Sequence, residues 1–401
     1  MKICILKETR EPKDNRVPLT PSQCAILKEE NPEIEVFVQS CNFRCYSDDE
    51  YRYHGIEVKN ELADCDVLLG VKEIPPALLV PDKTYFIFSH TIKKQPHNRG
   101  LLRAALDKNI RLIDWETLTD TKGKRLIAFG RWAGIVGAYH AIRMIGLKYG
   151  IFNIRQMNEC HNFAEAEKEF GRVKLPSLKI VLTGTGRVSQ GSAFLLNLLG
   201  IRKVTPHDFC YQQFAEAVYT QLTSADMFYK EGQDHFNAAD YHQHPQQYKS
   251  AFYPFTKVAD VMINGIYWDK RMPCFFTAEQ MRESDFTIKI IADITCDIAP
   301  NASVPSTLRP SGIAAPYFGY DAATGTEVKP FEQNSIDVMA IDNLPNELPR
   351  DASEDFGNML MSRIIPELKR GQSDILDRAT IAQNGALNTP YLYLADYAAG
   401  G

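Results

Sequence analysis

Short apolar runs of strand length alternate with helix-length segments along the first third of the chain, and this alternation limits the fold more than any other feature. Residues 3–6, 35–38, 67–71, 85–89 and 111–114 read as strands, with helices expected at 21–30 and 98–108. Strands separated by helices pair in parallel, so the expected class is α/β. A long helix is expected from about residue 132 to 149, where Gly134, Gly137, Ala138 and Ala141 leave room for a second helix. The strand–helix pattern restarts at Lys179. A chain of 401 residues exceeds one ordinary core, so the restart marks a second domain, with the long helix as connector. Further strands are expected at 261–264, 289–293 and 336–341, and a polar surface excursion at 232–250. A helix is expected at 353–368, capped by Ser353 or Asp351.

Composition narrows the partners. Hydrophobic residues make up 44% of the chain, enough for a large core, and the net charge of -5 disfavours nucleic acid and anionic membranes. No apolar stretch reaches the roughly 18 residues of a membrane span. The most hydrophobic one, 126–147, contains Arg131, His140 and Arg143. The first residues have no signal-peptide apolar region. Nine scattered cysteines suit reduced thiols and a cytoplasmic location. His235, His242 and His244 have no carboxylates in a ligand pattern beside them, so no metal is expected.

The run Thr183-Gly184-Thr185-Gly186-Arg187-Val188-Ser189 follows a strand and opens a helix. Glycines there permit a tight turn and let backbone approach a pyrophosphate, and the helix N-terminus favours negative charge. Ser189 stands where the dinucleotide fingerprint has its third glycine, and is small enough for the helix to pack on the strand. An acid about 20 residues on is expected to hold a ribose hydroxyl. Asp208 is the candidate for NAD, whereas His207, Arg202 or Lys203 would suit the ribose phosphate of NADP.

Four polar residues close strands or sit in loops of the first half, where α/β proteins build sites. Lys72 ends one apolar strand, His90 another, Glu116 follows a third, and Arg16 lies in the loop before the first helix. Partial burial and a neighbouring cation would lower the pKa of the lysine and the histidine and suit them to proton transfer. Each has a plainer reading: Lys72 reaching solvent, His90 satisfied in the core, Arg16 paired with Glu11 or Asp14.

Taken in order, Phe88-Ser89-His90-Thr91-Ile92-Lys93, Ala128-Phe129-Gly130-Arg131-Trp132-Ala133-Gly134, the glycine loop, Ile263-Asn264-Gly265-Ile266-Tyr267-Trp268 and Ile341-Asp342-Asn343-Leu344-Pro345 resemble one family along almost the whole chain. It is the L-lysine-forming saccharopine dehydrogenase and lysine–ketoglutarate reductase family, within the alanine dehydrogenase and transhydrogenase-like superfamily. The likeness is strongest to the reductase half of aminoadipic semialdehyde synthase. The resemblance implies two Rossmann-like domains with parallel sheets and an active site in the cleft between them. The implied division is 1–131 plus 350–401 on the substrate side and 132–349 for NAD(P). It implies Lys72 and His90 as the acid–base pair. Arg16, Glu116, Arg125 and Arg131 would meet substrate. Gly184, Thr185, Gly186, Arg187, Val188, Ser189, Asp208, Asn264 and Asp342 would meet the cofactor, NAD or NADP. The implied reaction is reversible conversion of saccharopine and water to lysine and 2-oxoglutarate through an imine, by a monomer or small homo-oligomer. The chain stops short of the second dehydrogenase half of the synthase, so one reaction is expected of it. An alanine dehydrogenase-type activity and a non-catalytic nucleotide-binding protein are the alternatives.

Overall fold

Chain order follows the alternation in the sequence. β1 (Lys2–Ile5), α1 (Pro21–Glu30), β2 (Glu35–Gln39), β3 (Glu57–Lys59), β4 (Val67–Leu69), β5 (Thr84–Ile87), α2 (Arg99–Asp107) and β6 (Arg111–Asp114) come first. Then follow α3 (Gly130–Tyr149), β7 (Lys179–Thr183), α4 (Arg187–Leu198), β8 (Arg202–Lys203), α5 (Pro206–Tyr211), β9 (Val218–Leu222), and the short strands β10 (Phe228–Tyr229) and β11 (Lys249–Ser250). β12 (Val261–Asn264), β13 (Ile290–Asp293), β14 (Tyr317–Asp321), β15 (Thr326–Val328) and β16 (Ile336–Met339) precede α6 (Pro349–Arg363), β17 (Thr380–Gln383) and β18 (Ala386–Leu387). The computed structural model describes residues 1–400. They divide into two units, one of Met1–Phe129 with the chain from Pro349 onward, the other Gly130–Leu348.

The first unit is an eight-stranded sheet in the order β18-β17-β6-β5-β4-β1-β2-β3. β1 to β6 pair in parallel, and β17 and β18 close the β6 edge antiparallel. All three residues of β4 are buried, as a parallel strand covered on both faces requires. α1 starts with a capping box: the Thr20 hydroxyl accepts from the Gln23 N–H, and the Gln23 side chain accepts from the Thr20 N–H. α6 begins four residues before the position expected for it. Pro349 suits a first helical turn, and Ser353 lies inside the helix, where its hydroxyl accepts the Val17 N–H at 2.9 Å rather than capping.

The second unit is also eight-stranded, in the order β15-β14-β16-β13-β12-β7-β9-β8. β14 and β15 are antiparallel at one edge, and the rest are parallel. The long helix α3 is a layer of this unit rather than a connector. It crosses α4 so closely that a Cβ on Gly134 would lie 1.8 Å from the Val188 carbonyl oxygen, and one on Gly191 2.0 Å from that of Arg131. The expected surface excursion is half core: Tyr241 and Tyr248 are buried among Phe228, Phe252 and Phe275. Their rings bring apolar area to the segment, while its His and Gln residues face solvent. Among the described residues, no helix is long and apolar enough to cross a membrane.

Candidate active site

In the first unit, polar side chains converge at the C-terminal ends of β1, β4, β5 and β6. Glu8 follows β1, and its carboxyl turns under the loop after β4. One oxygen accepts the Val71 N–H at 2.7 Å and the other the Lys72 N–H at 2.8 Å. On the adjacent strand end His90 adopts a left-handed backbone, φ 51°. Asp114, at the end of β6, secures it: one oxygen accepts the N–H groups of Ser89 and His90 at 2.9 and 3.1 Å and the Ser89 hydroxyl at 2.6 Å. The His90 Nδ1 meets Glu73 at 2.5 Å. A carboxylate only accepts, so Nδ1 carries the proton and Nε2 is the atom left for proton exchange. Arg10 reaches the other Glu73 oxygen at 3.3 Å.

Glu116 lies two residues beyond Asp114, which accepts its N–H at 2.8 Å. Its Oε1 faces Lys93 at 3.2 Å and Arg125 at 3.3 Å, while its Oε2 is buried with no hydrogen-bond partner among the described residues. Arg16 grips Asp14 with two bonds, 2.9 and 2.6 Å, and lies 4.2 Å over the Phe129 ring, itself stacked on Phe356. Both members of this pair are buried.

The protonation states diverge. Burial and then the Arg16 guanidinium lower the Lys72 pKa, so the amine loses its proton more readily than an exposed lysine. Burial raises Asp114 and pushes Glu8 up to about 8. Burial would also raise Glu73, but the His90 hydrogen bond and the charges of His90 and Arg10 hold it at about 2. Glu116 is lowered in the same way, Arg125, Lys93 and His90 outweighing burial. The neighbour of His90 is therefore a carboxylate, not the cation expected from the sequence.

In the second unit, the loop after β7 turns at Gly184, φ 84°, whose N–H donates to the Leu222 carbonyl at 2.9 Å. Gly186 is the N-cap of α4 and has no capping side chain of its own, and a Cβ there would meet nothing within 4 Å. That opening, at the positive end of a helix, fits a pyrophosphate. Ser189 is buried, and its hydroxyl lies 2.8 Å from the Thr183 carbonyl and 3.1 Å from that of Gly265, tying helix to sheet as a third glycine would by contact.

Residues 4–136 match the family model of the alanine dehydrogenase/PNT N-terminal domain. The chain is 29% identical to the α-aminoadipic semialdehyde synthase of Arabidopsis thaliana, over 97% of this chain and 41% of that protein. It is 26% identical to the saccharopine dehydrogenase [NAD(+), L-lysine-forming] of Emericella nidulans, over 91% of each. Saccharopine dehydrogenases and aminoadipic semialdehyde synthases are its homologues. The chain spans less than half the length of the synthases it matches. Among solved structures, an L-alanine dehydrogenase superposes with a TM-score of 0.66 at 18% identity, covering 99% of this chain and all of that one, and shares the fold.

Some residues singled out from the sequence stand apart from the arrangement expected of them. β9, not β8, pairs with β7, so the strand bearing Asp208 at its exit lies one strand further from the glycine loop. Asp208 sits in the first turn of α5, capped by Thr205 and bonded to Gln212 at 2.7 Å. Asp208 is the acid expected about 20 residues beyond the loop, but the strand before it is the two-residue edge strand β8. Of the basic candidates, Lys203 is held near the loop through Gln221, which bonds the Gly184 carbonyl at 3.0 Å. Arg202 instead pairs with Glu216 at 2.8 Å. Asn264 is fully buried, and its amide is satisfied by Thr183, Asp293 and Ser303, so its side chain organises strand ends rather than facing a ligand. Asp342 is exposed beyond β16, Thr185 is exposed in the loop, and Arg131 lies over the Phe194 ring at 4.9 Å. Glu8, Glu73 and Asp114 were not singled out. The signal for Asp114 was a carboxylate closing a buried strand; Glu8 and Glu73 declare themselves only through partners distant in sequence.

Proposed function

We propose that this chain converts saccharopine and water reversibly to L-lysine and 2-oxoglutarate, using NAD or NADP, through an imine. The observation that carries the reading is that Lys72 and His90 leave the ends of adjacent strands, with Glu73, the residue after Lys72, on the imidazole. Homologues named for saccharopine and for lysine formation support it. NAD or NADP, when bound, would be held by Gly184, Thr185, Gly186, Arg187, Val188 and Ser189 and would supply the hydride acceptor.

The remaining steps belong to side chains. The secondary amine of saccharopine must lose a proton, water must be deprotonated as it attacks the imine carbon, and as the carbinolamine C–N bond breaks its nitrogen must gain a proton while its hydroxyl loses one to leave the keto group. His90 Nε2 takes the amine proton, and Glu73 stabilises the imidazolium that results. Lys72, its basicity reduced by burial and Arg16, activates the water. Glu116 offers its buried, unpartnered oxygen to the substrate nitrogen. Saccharopine carries three carboxylates, and in the first unit Arg16 and Arg125 are assigned to them, with guanidinium forks suited to two-point binding. A substrate carboxylate at Arg16 or Arg125 competes with Asp14 or Glu116 for the guanidinium.

The test is oxidation of NADH or NADPH by the full chain with lysine and 2-oxoglutarate. Consumption with pyruvate and ammonia but not with lysine would favour the alanine dehydrogenase-type reading, which the match at residues 4–136 keeps in view. Cofactor binding with no turnover on any amino acid and keto acid would favour a non-catalytic protein.

A further inference from the structure

We propose that Glu8 is the positioning residue of Lys72, a carboxyl that sets the backbone from which the lysine side chain departs. The inference rests on the reading of Lys72 as an acid–base group.

The backbone groups around this turn carry the argument. The last β1–β4 ladder bond of the strand exit is Leu6 N–H to the Leu69 carbonyl, 2.8 Å. Beyond it the Gly70 N–H donates to Phe86 and the Val71 carbonyl accepts from Phe88, each at 2.9 Å, on the β5 side. The Gly70 carbonyl accepts the Trp115 indole N–H at 2.8 Å. The Val71 and Lys72 N–H groups face the side where β1 has ended. A buried N–H without a partner is costly, and here one carboxyl takes both, one per oxygen. Glu8 thus prolongs the ladder by its side chain. The turn passes close over it: a Cβ on Gly70 would lie 3.6 Å from the Glu8 carboxyl and 3.1 Å from Ile87.

A structural cap would need no more than this. The placement adds that the second N–H belongs to the residue whose amine does the chemistry. The charged groups around the lysine are Arg16, Asp14, Arg10 and Glu73, and those acting on Glu8 include Asp14 and Arg16. Glu8 and Lys72 therefore share one field, and a carboxyl pushed up to about 8 changes charge in the range where the lysine must work. Loss of one acceptor lets the turn relax, and a shift on the order of 1 Å at a reacting group costs up to about a hundredfold in rate.

The experiment compares wild type, Glu8→Gln and Glu8→Asp as full chains. Gln keeps the size and loses the charge and one acceptor; Asp keeps the charge but is too short to reach both N–H groups. Saccharopine oxidation is followed from pH 6 to 10 for kcat and KM, alongside Tm. Lys72 modification by an amine reagent is followed by mass spectrometry over the same range. For Glu8→Gln the expected result is a kcat at least about tenfold lower, with KM changed less than about threefold. Lys72 labelling at pH 8 should change about threefold, since the turn that carries it has relaxed and its amine sits in altered surroundings. Glu8→Asp should lose kcat and change the Lys72 labelling in the same sense, and carries the test if Glu8→Gln does not fold. A lower Tm with wild-type kcat and an unchanged Lys72 labelling profile would reduce Glu8 to a structural cap and overturn the proposal. If wild type does not turn over saccharopine, the proposed reaction fails, whereas the labelling comparison still decides whether Glu8 controls Lys72.

Discussion

At the ends of β1, β4, β5 and β6 in the first unit stand Glu8, Lys72, His90 and Asp114; at the ends of β7, β12 and β13 in the second stand Thr183, Asn264 and Asp293. Both sets crown parallel strands of eight-stranded sheets. In the first unit the groups are ionisable, and their surroundings push their protonation states apart, raising Asp114 and lowering Lys72 and Glu73. In the second, the Asn264 amide joins the Thr183 and Ser303 hydroxyls to Asp293, whose charge burial disfavours. That network holds strand ends still, and the adjacent glycine loop is left to present backbone. On the proposed reading, one architecture carries proton chemistry at one sheet and anion binding at the other, because function resides in the side chains placed on a fold rather than in the fold.

Substitutions at the two sheets should therefore fail differently. Lys72→Met and His90→Gln should each lower turnover about 10²–10⁴-fold with Tm within a few degrees of wild type, measured by lysine-dependent NAD(P)H oxidation. Wild-type turnover in both would remove these residues from the mechanism. In the second unit, Gly134→Ala should cost roughly 2–4 kcal/mol in urea unfolding, since the new methyl meets the Val188 carbonyl and two helices must part. Unfolding unchanged from wild type would mean that α3 and α4 do not cross so closely.

Glu73 offers a pH test confined to the first unit. Its carboxyl ionises at about 2 rather than the ordinary 4.5, so its contribution to stability is complete above pH 4.5 and is lost as pH falls towards 2. The stability advantage of wild type over Glu73→Gln should be about 2–3 kcal/mol at pH 6 and shrink steadily below pH 4.5. A difference that does not vary with pH would break the assignment. Gly186→Ala should leave Tm unchanged, since the space is open, yet weaken cofactor binding about tenfold, read by NADH fluorescence. The smallest effect belongs to Asp208→Asn, which should alter cofactor KM less than about twofold, because its strand is not the one beside the loop.

Much of this was legible residue by residue. α1 spans the residues expected of it, because Thr20, Pro21 and Gln23 form a local start signal. β6 does too, a short apolar run closed by Asp114. The two-residue β8 and the three-residue β3 carry too few side chains for a period to show. The polar look of residues 232–250 concealed Tyr241 and Tyr248, whose burial depends on aromatic partners elsewhere in the unit. Ser353 looked like a cap and became the acceptor for Val17, a residue 336 positions away.

The sequence by itself determined the period of each segment, hence parallel strands joined by helices. It also determined which side chains end those strands and where backbone could turn tightly at Gly184. These properties are set by neighbours within a few residues, through sterics and hydrophobic periodicity. Only the tertiary structure decided that β9 slips between β7 and β8, displacing Asp208 from the glycine loop. It also decided that Glu73 meets His90 and that Glu8 completes the turn before Lys72. Strand adjacency and buried hydrogen bonds depend on which distant N–H and carbonyl groups lose water together, and no local pattern records that pairing.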